Sequence, residues 1–352
     1  MKNGKSILEL ASEIQRRSEA KADYIADTRE LRFSSFDNEL QPTLDVAEHG
    51  TFGITEICHR QIGDRTGIPA KYYDRMRAES PALLGMNVNH WFKDNPQRRM
   101  VRTLDGNARA LLSDRYQRID NEHIAQAVLP VLAETPGIKI ESCEITERKL
   151  YIKAVNSRTE GEVKKGDAVQ AGVCITNSEI GMGALGVQRL VFRLVCLNGM
   201  ICPDGNYRRN HVGAQARADE DVYQMLSDEA LEADDHAILL KTRDVVRAAL
   251  DEAMFAQTLE KMKASTEGQV LEHPVKGIEI LSNRVGLLQT EQDSVLKHLI
   301  QGGDLSRYGV LNAVTRAAQD VESYDRSTEM EQIGGNILEL NRSEWETIAL
   351  AA

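Results

Sequence analysis

The sequence predicts an α+β fold: a central antiparallel sheet made of a hairpin, a helix and a strand meander, with N-terminal helices before it and a C-terminal helical region after it. Three observations lead there. Two alternating runs flank Asp105-Gly106 in RRMVRTLDGNARALLSDRYQRID, a hairpin pattern because glycine tolerates the positive φ of a tight turn. Four further strand-like runs, GIKIESCEI, KLYIKAV, DAVQAGVCIT and VQRLVFRLVCL, follow in sequence with polar connections of hairpin length. Beyond residue 216 the apolar residues switch to helical spacing in a strongly acidic setting.

Taken in order, residues 5–22 read as a helix with Ile7, Leu8, Leu10, Ala11 and Ile14 on one face, followed by a polar, acidic link. Residues 53–77 give a helix ending near Gly67, a stop at Pro69, and a short helix carrying Tyr72, Tyr73 and Met76. That outline mimics a helix-turn-helix, a shape that ordinary helical hairpins share. After the first hairpin, Asp120 or Asn121 caps the helix NEHIAQAVLPVLAE, with Pro130 as a kink. The last helical stretches cover 290–301, 307–324 and 328–338, separated by Gly302-Gly303 and ended near Gly334-Gly335. The expected divisions are 1–89, a helical lead; 90–215, the sheet; and 216–352, the acidic helices.

With 352 residues, 41% of them hydrophobic and 28% charged, and only 8 prolines, the composition is that of a globular chain and excludes disordered or fibrous classes. No apolar run is long enough for a membrane helix, and MKNGKSILELASEIQRRSEAK lacks the apolar core of a signal peptide. A cytoplasmic protein with no membrane partner is expected. Five cysteines at unpatterned spacings point to reduced, mostly buried thiols. The net charge of -11 argues against a generally basic coat, but residues 90–213 hold 18 Lys+Arg against 14 Asp+Glu, so the middle of the chain can still meet a polyanion.

Several motifs fail on context. GMGALG has the glycine spacing of a dinucleotide fingerprint but is followed by a strand, and GEVKKGDA lacks the Lys-Ser or Lys-Thr of a phosphate loop. Cys196, Cys202 and His211 lack the second ligand pair that structural zinc requires, and no acid is placed to orient His211 beside a nucleophilic cysteine. No metal, cofactor or catalytic residue is therefore expected. What remains is arginine. Arg98, Arg99, Arg102, Arg109, Arg115 and Arg118 lie on or beside the first hairpin with Tyr116 among them, and Arg208 and Arg209 form a second basic cluster. Such cations can hold phosphates while a ring stacks on a base; the alternative is a solvated face partly neutralised by Asp105, Asp114 and Asp120. Arg193 interrupts an apolar strand and must either pair or reach a polar groove. Asn177 and Asn198 end strands and read first as turn residues, or with Arg193 and His211 as a small pocket.

The stretches LLSDRYQRIDNEHI, GDAVQAGVCITNSEIGMGALGVQRLVFRLVCLNGM with the later His211, and RYGVLNAVTRAAQD followed by EMEQIGGNIL resemble the phage/plasmid-like proteins that carry domain of unknown function 932. GITEICHRQIGDRTGIPAKYYDRM is similar to that family's N-terminal region. The resemblance implies a protein of phages, plasmids or integrated elements and supplies no activity. The meander and helix are loosely similar to the core of phage single-strand annealing proteins, a likeness of fold. The expectation is a non-enzymatic nucleic-acid-binding protein, with single-stranded DNA as partner in replication or recombination, and a homo-oligomer. Two alternatives stand beside it: an interaction factor whose acidic helices capture a host protein, and a small-molecule enzyme with its pocket at the strand ends.

Overall fold

The computed structural model describes residues 1–35, 41–203, 207–210 and 228–351. Helix α1 (Ile7–Ala20) starts at a capping box, in which Ser6 accepts from the Glu9 amide while Glu9 accepts from the Ser6 amide. Its buried stripe is narrower than the sequence suggests: Leu10 and Ile14 are buried, whereas Leu8 is exposed.

The expected polar link contains four strands: β1 (Lys21–Asp27), β2 (Leu31–Ser34), β3 (Thr43–Val46) and β4 (Gly50–Ile54). Helices α2 (Glu56–Thr66), α3 (Ala70–Glu79) and α4 (Pro81–Asp94) follow, with Thr55 capping α2 and Gly67 ending it at φ 68°. The hairpin forms where Asp105-Gly106 places it, as β5 (Arg98–Leu104) and β6 (Asn107–Ser113). These six strands make one sheet, ordered β1-β5-β6-β4-β3-β2, antiparallel except for the parallel pair β4–β6. The sheet therefore spans the expected division at residues 89/90. One face buries Phe33, Leu44, Val101 and Leu111 against Ile62 of α2 and Leu84 of α4.

Helix α5 (Asn121–Glu134) leads into the second sheet, whose strands β7 (Ile138–Ile145), β8 (Leu150–Glu162), β9 (Ala168–Asn177), β10 (Leu185–Arg193) and β11 (Asn198–Ile201) pair antiparallel in sequence order. A short β12 (Tyr207–Arg209) also pairs with β10. Ile152, Val173 and Val187 meet Leu10 and Ile14 of α1, Ile124 and Val128 of α5, and Ile238 of α6 (Asp228–Ala249).

The remaining helices are α7 (Glu252–Ala264), α8 (Pro274–Val285), α9 (Gln289–Gly302), α10 (Arg307–Ala317), α11 (Tyr324–Leu338) and α12 (Arg342–Ala349). They share a core with Val169, Val191 and Met200 of the second sheet, so sheet and helices bury each other's apolar faces. Gly334-Gly335 does not end α11 but lies inside it. A Cβ on Gly335 would sit 2.0 Å from the Ile201 carbonyl oxygen, so glycine is what lets the helix approach the strand. The same helix supplies Glu331 to Lys153 of β8, a fully buried pair at 2.5 Å in which Thr328 also accepts from the ammonium.

In the first core, His59 of α2 is 1% exposed and its Nδ1 lies 2.8 Å from the Tyr73 hydroxyl. Burial, then the charge of Arg77, pushes this imidazole down to about 4. Between about pH 6.5 and about pH 4 the unfolded chain therefore takes up a proton that the folded chain refuses, so stability is full above that window and falls with acidification through it. Urea denaturation across this range should show a loss of up to about 3 kcal/mol attributable to the one group. His59→Gln should flatten that part of the profile; an unchanged slope in the variant would assign the acid sensitivity elsewhere.

Candidate nucleic-acid interface

The arginines of the first hairpin divide by burial. Arg102 of β5 stands opposite Asp23 of β1 and is wholly inaccessible to solvent. Its Nε and Nη2 donate to Asp23 at 2.8 and 3.0 Å, Nη2 also to Asp120 at 2.7 Å, and Nη1 to the Glu179 carbonyl at 2.8 Å. Lys21 adds a second cation to Asp120 at 2.6 Å. Burial alone would raise the Asp120 carboxyl, but Arg102 and Lys21 outweigh it and hold the group below its ordinary value.

Arg109 of β6 is also buried, and its Nη2 donates to Glu179 at 2.8 Å, whose other carboxylate oxygen accepts from the Asn121 amide at the start of α5. Tyr116 is buried too and donates to the Ser178 carbonyl at 2.8 Å. Asn177 donates to the Ile119 carbonyl and to the Asn121 side chain, both at 2.9 Å. Together these contacts tie the end of β9 to the first hairpin and to α5. Arg102 and Arg109 thus face carboxylates inside the molecule instead of phosphates outside it, and Tyr116 presents no open ring for a base. The reason lies in the packing: the interior side of β5 and β6 continues into a covered seam, where a guanidinium has to be neutralised.

The other arginines reach the surface. Arg98 and Arg118 are exposed, while Arg99 and Arg115 are half-buried. Arg98 and Arg115 have no side-chain hydrogen bond or ion pair among the described residues, Arg99 is held by Gln97, and Arg118 lies 3.9 Å from Asp23. Arg65 at the end of α2 joins them: burial, then the like charge of Arg65, lowers the pKa of Arg99. Sequence reading missed Arg65 because it lies over thirty residues from the hairpin and nothing local marks it.

Arg208 is exposed and lines a cavity of about 200 Å³ with Lys149, Gly183 and Tyr207. Arg209 lies 3.5 Å from Asp234 of α6, and the same carboxylate accepts from Gln117. That shared carboxylate brings β12 next to the loop holding Arg115 and Arg118.

Of the expected strand-end pocket, the three described residues do not converge: Arg193 and Asn198 are register partners, and Asn177 lies apart from them. Arg193 pairs with Asp167 through Nε at 2.6 Å and Nη2 at 2.8 Å, and Asn198 donates to Thr315 at 2.6 Å, so both sit against α10. Asn177 is eight positions along β9 from Val169, the register partner of Arg193, or roughly 26 Å at strand spacing. His211 lies outside the described residues. The five cysteines form no disulfide; Cys202 is buried and Cys196 half-buried. Among the described residues no group of three or more His, Cys, Asp or Glu side chains is placed to hold a metal ion, and no helix is long and apolar enough to cross a membrane.

A family model described as Domain of unknown function (DUF932) matches residues 109–342, about two thirds of the chain. No curated protein and no solved structure matched. The division between interior and surface arginines has a measurable consequence. Arg102→Ala should cost about 3–5 kcal/mol in chemical denaturation because it leaves Asp23 and the Glu179 carbonyl without their buried donor and Asp120 with Lys21 alone, whereas Arg98→Ala should stay within about 0.5 kcal/mol of the parent. Equal effects would contradict the assignment of Arg102 to the architecture.

Proposed function

The chain belongs to the family defined by the domain of unknown function DUF932, and from that premise we propose that it binds nucleic acid, single-stranded DNA above all, along the surface cations of the first hairpin. The observation that carries the reading is a set of surface cations on and beside the hairpin: Arg98 and Arg115 lack a carboxylate partner among the described residues, and Arg99 feels the like charge of Arg65, offset in part by Asp114. Like charges held together are unfavourable in isolation, and a phosphate backbone relieves that repulsion with release of its counterions. Arg118, Arg208 and Arg209 extend the track.

Because Tyr116 is buried, base stacking by that ring is not part of the reading. Phosphate contacts dominate, which implies weak sequence preference and strong salt dependence. The chain's net charge of -11 disfavours a polyanion elsewhere on the molecule. The finer reading is a DNA-binding or annealing factor, working as a homo-oligomer in the cytoplasm in replication or recombination of a phage, plasmid or integrated element; its support is the resemblance of LLSDRYQRIDNEHI and the neighbouring motifs.

The test is fluorescence anisotropy with labelled single-stranded and duplex DNA over a salt series. Replacing Arg98, Arg99 and Arg115 together by alanine should weaken binding to single strands at least tenfold at low salt. The slope of log affinity against log salt should flatten by about 2, since each lost phosphate contact removes about 0.7. Unchanged affinity and slope in a variant with an unaltered circular dichroism spectrum would refute the interface.

A further inference from the structure

A cavity of about 520 Å³ opens between the β8–β9 turn, the β10–β11 turn and helices α9 and α10. It lies at the far end of the second sheet from β12: Arg209 pairs with Leu185, whereas Arg193, which lines the cavity, is eight residues further along β10, roughly 26 Å away. The cavity is thus separate from the arginine strip.

Its floor is fixed by a closed set of contacts. Asp167 receives Arg193 through two nitrogens and the Tyr308 hydroxyl at 2.9 Å, and the Arg193 guanidinium stands 5.8 Å from the centre of the Tyr308 ring. Helix α10 turns Tyr308, Asn312 and Arg316 towards this space, three residues at successive i, i+4 positions.

The charges around the rim do not cancel. Arg193 is matched by Asp167 and Lys164 by Asp304 at 2.6 Å, while Asp320 is hydrogen-bonded to the His298 imidazole at 2.7 Å. Lys165 has no ion pair among the described residues, and Arg316 donates to the amide oxygen of Gln319 at 2.5 Å, with the Asp320 carboxylate acting on it without an ion-pair contact among the described residues. The lining itself carries four cations, Lys164, Lys165, Arg193 and Arg316, against the carboxylates of Asp167 and Asp304, with Asp320 outside it, so the excess of positive charge suits a phosphate. Val195, Leu299 and Ala313 add apolar surface to the lining, which an inorganic ion alone would leave unused. The volume falls in the range that holds a small organic ligand, roughly 300–1,000 Å³.

We propose that this cavity is a binding site for a small phosphorylated molecule of nucleotide size, with its phosphate between Lys165 and Arg316 and its organic part against Val195, Leu299 and Ala313. A guanidinium offers a planar fork to phosphate oxygens, and the lysine adds a compact charge. The proposal does not rest on the DNA reading.

The protein carries its own reporter. Cys196 lines the cavity, with its Sγ 3.3 Å from Arg193 Nη1, and is half-buried, while Cys58, Cys143, Cys174 and Cys202 are buried. The rate of Cys196 alkylation by N-ethylmaleimide would be measured on the full chain with ATP, AMP or pyrophosphate, against sodium chloride and citrate at matched ionic strength. Saturable protection by ATP or AMP, slowing the reaction about fivefold or more, is expected, and Lys165→Ala with Arg316→Gln should abolish it. Lys165→Ala alone, at an exposed turn, should raise the half-protecting concentration about tenfold and covers the case in which the double variant does not fold. No protection by any phosphate, equal protection by chloride or citrate, or a Cys196 that never reacts in the free protein would each overturn the proposal. DNA affinity is read in a separate assay, so either reading can fail while the other stands.

Discussion

A guanidinium with no solvent exposure sets the terms for the middle of this molecule. Arg102 sits in β5, and its partners come from three other places in the chain: Asp23 in β1, Asp120 just before α5, and the carbonyl of Glu179 just after β9. Removing such a group from water costs several kcal/mol, offset only when all of its donors are engaged. The first sheet, the start of α5 and the end of the meander must therefore arrive at one point together. The Arg109–Glu179 pair and the Asn177 amide reinforce the same junction. They explain how residues 177–179 are buried although they lead into a connection: much of their polar capacity is met by Tyr116, Arg102, Arg109 and Asn121.

Much of the architecture is legible in the sequence, and what is not has identifiable causes. Asp105-Gly106 marks the first turn because few other pairs tolerate positive φ twice in succession, and both residues adopt it, at φ 51° and 75°. The runs forming β7 to β10 are long and rich in β-branched residues, so they stand out. Strands β2 and β3 have four residues each with two buried apiece, too short for alternation to separate them from a polar link. Gly334-Gly335 reads as a helix stop by local rules, yet its role is set by the Ile201 carbonyl more than a hundred residues away.

The candidate interface shows the same limit more sharply. Arg98 and Arg102 point to the same side of β5, with Met100 buried between them, yet one is exposed and the other enclosed. Periodicity gives the face; it does not give the point along the strand at which another element begins to cover it. Charge partners 79 and 70 residues distant, Asp23 and Glu179, decide which arginines belong to the framework. Cations left without such partners, at the first hairpin and around the cavity beside α10, are those available to an outside anion.

Lys153 and Glu331 are 178 residues apart, and this separation bears on how the chain is made. During synthesis the meander is complete long before α11 leaves the ribosome. Until then an ammonium group stands in the middle of a face that otherwise carries Val155, Cys174 and Leu190. A charge there keeps the unfinished face hydrated and makes it a poor template for sticking to another nascent chain. Once the glutamate arrives the ammonium is paired and enclosed, so one side chain is a solvated charge on the unfinished sheet and a neutralised one in the finished core.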